Sequence, residues 1–406
     1  MKLILFLGAG VSLPSDLPLA ADLMAEIMHG SYHQAGPHNY APGRSSDPAL
    51  RTKDLTPRIR RFLKAVTEHD ELDIKRVGYH KVGGGFKSSG AIYRGDVSTY
   101  EDIFFLCQQI SLWNIGLSDN SLTTPFMEAI ERKARRHLIG RTIKGRMWDL
   151  ATLGSEACDL IETVVANMLR KKYIKGLDLL LQLAVNPRIE QLNIVTLNHD
   201  TLVEQFLAAN CVEFVDGFGP PDGDVRWSDD RLFDGAKTRV QLFKLHGSVD
   251  WYRFYGSTKT AILLGSDPQT AKDGTGKPLK PVFRRPSFLS GINKVTFYQR
   301  GIYADIHFRF HQLLRSSDQI VMSGYGWGDT AINFQLDKWM EEDERKRIIL
   351  LYRSPEKLSN RSMILECGWD GRIASGQLVC LKKYFEDVSM SELQVILDSP
   401  MPNPRP

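Results

Sequence analysis

The first residues of the chain join a short apolar run to a glycine-rich turn. Lys2–Leu7 has the composition of a buried strand, and Gly8-Ala9-Gly10-Val11-Ser12 follows it directly. Because glycine lacks a Cβ atom, such a turn lets backbone amides approach a pyrophosphate closely. A Gly-x-Gly sequence after a strand occurs about as often in turns that need glycine only for their backbone shape as in turns that bind a nucleotide. The run predicts the first strand of a parallel sheet, and we expect no signal peptide before it.

Short β-rich runs alternate with helical patterns through the second half of the chain. This alternation predicts an α/β fold, with a Rossmann-like parallel sheet that has helices on both faces. A segment rich in Gly, Pro, Lys and Thr, 255–285, is predicted to be a surface loop. The predicted strands are 191–196, 240–245, 319–322, 348–352 and 378–381, and the predicted helices between them are 201–209, 304–315, 331–341 and 355–367.

A chain of 406 residues exceeds the size at which a single core usually keeps growing. We predict that 1–30 and 191–390 form the Rossmann-like core, that 31–190 is an inserted and mostly helical subdomain, and that 391–406 is a C-terminal tail. Ser98 and Glu101 form a capping-box pattern that predicts a helix start. Further helices of the insertion are predicted at 55–66, 123–138, 155–170 and 174–184.

Composition limits the class of protein. A net charge of +4 over this length is too small to indicate nucleic-acid binding, and no apolar run approaches membrane-spanning length. The five cysteines contain no Cys-x-x-Cys pair, so neither a zinc knuckle nor a disulfide framework is predicted. We therefore expect a cytoplasmic protein with no metal, no membrane contact and no direct nucleic-acid partner.

Three polar clusters follow predicted strands. They are Thr196-Leu197-Asn198-His199-Asp200, Leu245-His246-Gly247-Ser248 and the segment from Ser323 to Asp329. Open α/β sheets place ligands at the carboxyl ends of their strands, so these clusters are candidates for one site. Two alternatives stay open at this point: Asn198 as a helix cap and His246 as a structural histidine.

In this order and setting, the motifs Gly-Ala-Gly-x-Ser, Thr-x-Asn-x-Asp and His-Gly resemble the NAD-binding core of sirtuins, specifically the bacterial sirtuin-like NAD hydrolases of anti-phage defence. The resemblance covers 1–30 and 191–335. It implies that Asn198 orders the nicotinamide ribose and the attacking water, that Asp200 lies near the nicotinamide amide, and that His246 acts on ribose hydroxyls as base or positioner. The NAD-binding residues that it implies are Gly8, Ala9, Gly10 and Ser12 at the pyrophosphate, Gly324, Tyr325 and Asp329 at the adenosine side, and Thr196, Gly247 and Ser248 beside them.

Protein deacylases of that family carry a zinc module with two cysteine pairs and a Gly-Ile-Pro-x-Phe-Arg loop, and this sequence has neither. The resemblance therefore implies an NAD+ hydrolase that releases ADP-ribose and nicotinamide, with NAD as its substrate, and that acts in antiviral defence by NAD+ depletion. It also implies a homo-oligomer and a separate sensor, such as a HerA-type ATPase or an Argonaute. The alternatives are a regulatory module that senses NAD or ADP-ribose without turnover, and an ADP-ribosyltransferase.

Overall fold

A computed structural model describes most of the chain. The described residues are 1–18, 20–51, 54–67, 76–82, 85–93, 99–114, 128, 150–170, 173–235, 238–265, 267–290, 294, 297–359, 361 and 363–400.

The central element is a seven-stranded sheet in which all neighbouring strands are parallel, in the order β15-β14-β13-β1-β6-β10-β7. If β7 is left out, β1, β6, β10, β13, β14 and β15 are the first to sixth strands of the sheet in chain order. Read from β10 to β15, their positions follow the 3-2-1-4-5-6 order of a Rossmann fold. The predicted fold class is confirmed. The strands are β1 (Lys2–Leu7), β6 (Gln191–Thr196), β7 (Phe214–Val215), β10 (Val240–Lys244), β13 (Gln319–Ser323), β14 (Arg347–Leu351) and β15 (Leu378–Leu381).

Eleven named helices occur among the described residues. None of them is both long and apolar enough to cross a bilayer. They are α1 (Ala20–His29), α2 (Pro48–Arg51), α3 (Thr56–Thr67), α4 (Tyr100–Asn114), α5 (Leu150–Leu169), α6 (Asp178–Val185), α7 (Leu202–Ala209), α8 (Gly301–Ser316), α9 (Thr330–Glu342), α10 (Met363–Ser375) and α11 (Met390–Leu397).

Alternate residues along the parallel strands enter two different apolar cores. Phe6 and Val195 pack in one core with residues of α8 and α9. Leu5 and Ile194 pack in the other with residues of α6, α7 and α11. Because successive side chains of a strand point to opposite faces, the two cores lie on opposite faces of the sheet. Helices therefore cover both faces, which explains why the strand sequences are almost continuously apolar.

The chain divides into two compact units. The first, 1–18 with 166–289 and 293–406, holds the seven-stranded sheet and a four-stranded antiparallel sheet. The second, 19–165 with 290–292, holds α1 to α4, most of α5 and two hairpins. The antiparallel sheet has the order β11 (Trp251–Arg253), β12 (Thr260–Leu263), β9 (Val225–Ser228) and β8 (Phe218–Asp222), and the hairpins are β2 (Tyr32–Gly36) with β3 (Asn39–Pro42) and β4 (Arg76–Val82) with β5 (Gly85–Tyr93). The domain boundaries proposed from the sequence stay predictions.

Some local predictions were wrong. Thr99 and Asp102 form the capping box of α4 through Thr99 N to Asp102 Oδ2 at 2.6 Å, one residue later than predicted. The predicted helix 355–367 is a short 3-10 turn, Pro355–Lys357, followed by α10, which begins at Met363. The predicted loop 255–285 contains β12. The predicted helix 123–138 lies outside the described residues, apart from position 128.

Candidate functional site at the carboxyl edge of the sheet

The turns that follow β13, β1, β6 and β10 lie side by side. Their backbones bond beyond the strand ends: Gly8 N to Ser323 O at 2.9 Å, Leu197 N to Leu7 O at 3.2 Å and Leu245 N to Thr196 O at 3.0 Å. The chain runs from β1 to β6 and β10 on one side, and returns to β13 on the other. The boundary of β1 with β13 is thus a topological switch point, where open α/β sheets bind ligands. All the predicted site residues lie on these four segments.

The glycine turn after β1 packs directly against the turn after β13. A Cβ atom on Gly8 would lie 2.6 Å from Gly324 O, and one on Gly10 would lie 2.8 Å from Gly324 Cα. Gly324 has a φ of +68°, and Gly10 N donates to Gly324 O at 3.0 Å. Close backbone approach therefore requires these glycines. The amides of Gly8 and Gly10 are engaged within the protein, and the pyrophosphate contact with Gly8, Ala9, Gly10 and Ser12 stays a prediction.

The segment after β6 is tied to the glycine turn by buried polar side chains. Asn198 Nδ2 donates to Gly8 O and to Ser12 Oγ, each at 3.1 Å. Ser12 Oγ donates in turn to Asp200 Oδ2 at 2.9 Å. At the start of α7 it is Asp200, through Oδ1, that accepts from Leu202 N at 3.0 Å. Among the described residues, Asn198 accepts no hydrogen bond from the first amides of α7. The structure therefore does not show Asn198 as a helix cap.

A buried lysine at the end of β10 donates hydrogen bonds to the segment that follows β6. Lys244 Nζ donates to Glu204 Oε1 at 2.7 Å and to Asp200 O. Burial opposes the charge on Lys244, but the carboxylates of Glu204, Asp250 and Asp200 outweigh it and raise the pKa of Lys244. Burial also raises the pKa of Glu204 to about 7, in spite of its lysine partner. Lys244 is not among the predicted site residues, although a lone charge within the predicted strand 240–245 is a usable signal.

His246 is buried, and two of the described residues meet its Nε2. Its Nε2 lies 2.9 Å from Tyr298 Oη and 3.1 Å from Asp329 Oδ2, and Tyr298 Oη donates to Asp329 Oδ2 at 2.7 Å. Asp329 is also the N-cap of α9, since its Oδ1 accepts from Ala331 N and Ile332 N. Burial alone would raise the pKa of Asp329. The hydrogen bond and the charge of His246, together with hydrogen bonds from Tyr298 and from the Ile332 amide of α9, lower this pKa well below its usual value.

Two further buried histidines surround His246. The His199 ring lies 6.1 Å from that of His246, and His307 stacks on Tyr298 at 3.7 Å between ring centroids. Burial and then the charge of His246 lower the pKa of His307 to about 3, and the same two causes lower the pKa of His199 well below its usual value. Both are therefore neutral near pH 7. Sequence reasoning missed Tyr298 and His307, which carry no local motif.

The remaining predicted residues hold the backbone of this edge. Thr196 Oγ1 accepts from Asn198 N at 3.0 Å, and Ser248 Oγ donates to His199 O at 3.3 Å. Gly247 has a φ of +79° and approaches Ser287 O too closely for a Cβ atom. The Tyr325 hydroxyl donates to Asn333 Oδ1 at 2.7 Å. Their contact with NAD stays a prediction.

In the part of the chain that the structure describes, one group outside this edge has donor atoms spaced as metal ligands are. The ligand atoms of His38, Glu156 and Asp159, in the second unit, all lie within 4.8 Å of one another. His38 Nδ1 lies 2.7 Å from Asp159 Oδ2, and the Tyr40 hydroxyl donates to Glu156 at 2.5 Å. Protein hydrogen bonds thus already engage these carboxylates, and the expectation that the protein uses no metal stays a prediction.

Comparison with known proteins gives one family. Residues 192–368 match the family model of the SIR2-like domain. No curated protein matches the chain. A solved structure of a Sir2 homologue mutant in complex with ADP ribose has a TM-score of 0.27 and 11% identity, and the alignment covers 90% of this chain and 88% of that one. Residues 192–368 hold β10, β13, nearly all of β6 and their polar turns, so this part of the chain is similar to a SIR2-like domain.

Proposed function

We propose that the protein hydrolyses NAD+ to ADP-ribose and nicotinamide at the carboxyl edge of β1, β6, β10 and β13. One observation carries the proposal. Asn198 and Asp200, which are distant from the glycine turn in sequence, bond to it at the switch point of a Rossmann sheet. His246 bonds to Asp329, which follows the Gly324 turn that packs against the glycine turn. The SIR2-like match of 192–368 and the motif resemblance both favour NAD as the ligand.

The residue types suit cleavage of a bond to a leaving group that is already cationic. Water oxygen bonds to C1′ of the nicotinamide ribose, the C1′–N1 bond breaks with its electron pair on nicotinamide, and a water proton is released. Nicotinamide leaves neutral, so no strong general acid is required. The reaction needs an oriented ribose, a held water and a base that is active near neutral pH.

Asn198 and His246 can meet these needs. Both hydrogen atoms of the Asn198 amide are engaged by Gly8 and Ser12, and its Oδ1 accepts no bond from the described residues. The oxygen is thus the atom that would order a ribose hydroxyl or the water. His246 would take the released proton, and Asp200 would fix the segment that carries Asn198.

The assay is incubation of the purified protein with NAD+, alone and together with the products of neighbouring genes, followed by mass analysis. We expect ADP-ribose and nicotinamide in equal amounts, and loss of both with Asn198→Ala or His246→Ala. His29→Ala, an exposed histidine on α1, is the control and should keep full activity. Absence of nicotinamide under every condition, or full activity in both site variants, would defeat the proposal.

The same experiment separates the alternatives. Intact NAD+ recovered from a tight complex indicates a sensing module, and label from NAD+ on protein or nucleic acid indicates ADP-ribosyl transfer. An enzyme that destroys a central cofactor must be held inactive. We therefore include in the proposal a role in antiviral defence by NAD+ depletion, with self-association or a separate sensor protein as the control of activity.

A further inference from the structure

We infer that Asp329 and Tyr298 are positioning residues that fix the His246 ring with its proton on Nε2, so that Nδ1 is the basic nitrogen. The inference rests on the proposed function for its catalytic consequence. The sequence resemblance implies Asp329 at the adenosine side of NAD, which stays a prediction, and in the structure both of its oxygens bond within the protein. Oδ1 accepts from the first amides of α9, and Oδ2 meets Tyr298 and His246.

The direction of the hydrogen bonds follows from the donors available. A tyrosine hydroxyl has one proton, and an ionised carboxylate only accepts. The 2.7 Å contact between Tyr298 Oη and Asp329 Oδ2 therefore uses the tyrosine proton. Since that proton is committed, the 2.9 Å contact between Tyr298 Oη and His246 Nε2 requires the proton of Nε2. Asp329 Oδ2, 3.1 Å from the same nitrogen, is a second acceptor for it.

Asp329 itself is fixed in place. Its lowered pKa keeps it ionised, and its capping bonds to Ala331 N at 3.0 Å and Ile332 N at 3.1 Å set the direction of the carboxylate. Tyr298 is fixed by its stack on His307. The imidazole is thus oriented by groups that need not move when the ring gains a proton. A carboxylate that holds one ring nitrogen stabilises the imidazolium formed at the other.

The test uses the full chain with ¹⁵N-labelled histidine. Ring ¹⁵N shifts report which nitrogen of the neutral ring carries the proton, and the spectrum of His246→Gln assigns the signals. We expect Nε2–H in the wild type. In Asp329→Asn the cap is kept, because Asn is a good N-cap, but the side chain can offer a donor at the place of Oδ2. We expect the proton to move to Nδ1 and kcat for NAD+ hydrolysis to fall at least about 100-fold.

Tyr298→Phe keeps the ring stack and removes the hydroxyl. Asp329 still accepts from Nε2, so we expect the same tautomer and a smaller loss of kcat than with Asp329→Asn. The matched control is Tyr303→Phe, which removes a buried hydroxyl that lies 3.3 Å from Ser287 Oγ. It should change neither the tautomer nor kcat.

The inference is overturned by Nδ1–H in the wild type, by an unchanged tautomer in Asp329→Asn, or by a larger kcat loss in Tyr298→Phe than in Asp329→Asn. The tautomer of the wild type needs no variant and no substrate. If the wild type releases no nicotinamide at all, the proposed function fails, and the ¹⁵N spectra still decide whether Asp329 and Tyr298 position His246.

Discussion

His307 should make folding stability depend on pH in a way that one substitution isolates. The pKa of this histidine is lowered from 6.5 to about 3 by burial and by His246. Its unfolded form therefore takes up a proton at a pH where the folded form does not, and the stability is lost as the pH falls from about 6.5 toward 3. For these two pKa values, acidification from pH 7.5 to pH 5 costs about 2 kcal/mol of unfolding free energy.

Other groups titrate in the same range, so the wild type alone does not show this effect. His199 acts in the same direction as His307, because its pKa is also lowered. Glu204 acts in the opposite direction, because its pKa is raised to about 7 and acidification relieves its buried charge. The lowered pKa of Asp329 changes the free energy of unfolding only below about pH 4, where the unfolded form takes up a proton. The difference between the wild type and His307→Gln cancels these contributions.

His307→Gln keeps a donor for Leu245 O, which His307 Nε2 meets at 3.2 Å, and removes the titrating ring. Urea denaturation followed by tryptophan fluorescence should show the variant less stable than the wild type at pH 7.5, because the stack on Tyr298 is lost. At pH 5 this deficit should shrink by about 2 kcal/mol. Tyr303→Phe is the control: burial raises the pKa of Tyr303 to about 12, so the stability difference between this variant and the wild type should be equal at pH 7.5 and pH 5. A deficit for His307→Gln that is equal at both pH values would refute the reasoning.

Two further predictions concern the packing of this edge. Gly10→Ala places a Cβ atom 2.8 Å from Gly324 Cα, so backbone must shift; we expect a loss of about 1–3 kcal/mol in urea denaturation, and a wild-type midpoint would contradict it. Lys244→Met leaves Glu204 buried without its cation and should cost about 3–5 kcal/mol. Lys244→Met with Glu204→Gln should recover part of that loss in a double-mutant cycle, whereas additive losses would show that the pair is not coupled.

The sheet was predictable because it depends on local sequence, and so was the meeting of the polar clusters at its edge, whereas their contact with NAD stays a prediction. A short apolar run such as 3–7, which a glycine turn follows directly, predicts a buried strand, and polar residues after neighbouring parallel strands lie at one edge of the sheet. The antiparallel sheet was less visible. Its edge strand β8 contains Pro220 and Pro221, which read as a loop but are tolerated at a sheet edge where an amide is not needed.

The partners of His246 could not be predicted, because they depend on tertiary structure. Tyr298 is 52 residues from His246 and belongs to no motif. The resemblance implies Asp329 as an NAD-binding residue, and the structure shows that the same carboxylate also caps α9. A sequence shows that an aspartate can accept hydrogen bonds, but it does not show which donors the fold brings to it.

The candidate site consists of two hydrogen-bonded groups on two turns that pack against each other. Asn198 and Asp200 bond to Ser12 of the glycine turn, and His246 bonds to Asp329, which follows the turn at Gly324. The glycine turn and the Gly324 turn are packed backbone against backbone, so a shift of one moves both groups. A glycine substitution would therefore change stability and activity together, whereas Asp329→Asn changes one acceptor and leaves the packing in place. For this reason side-chain variants of nearly equal volume, rather than glycine variants, can assign chemical roles at this edge.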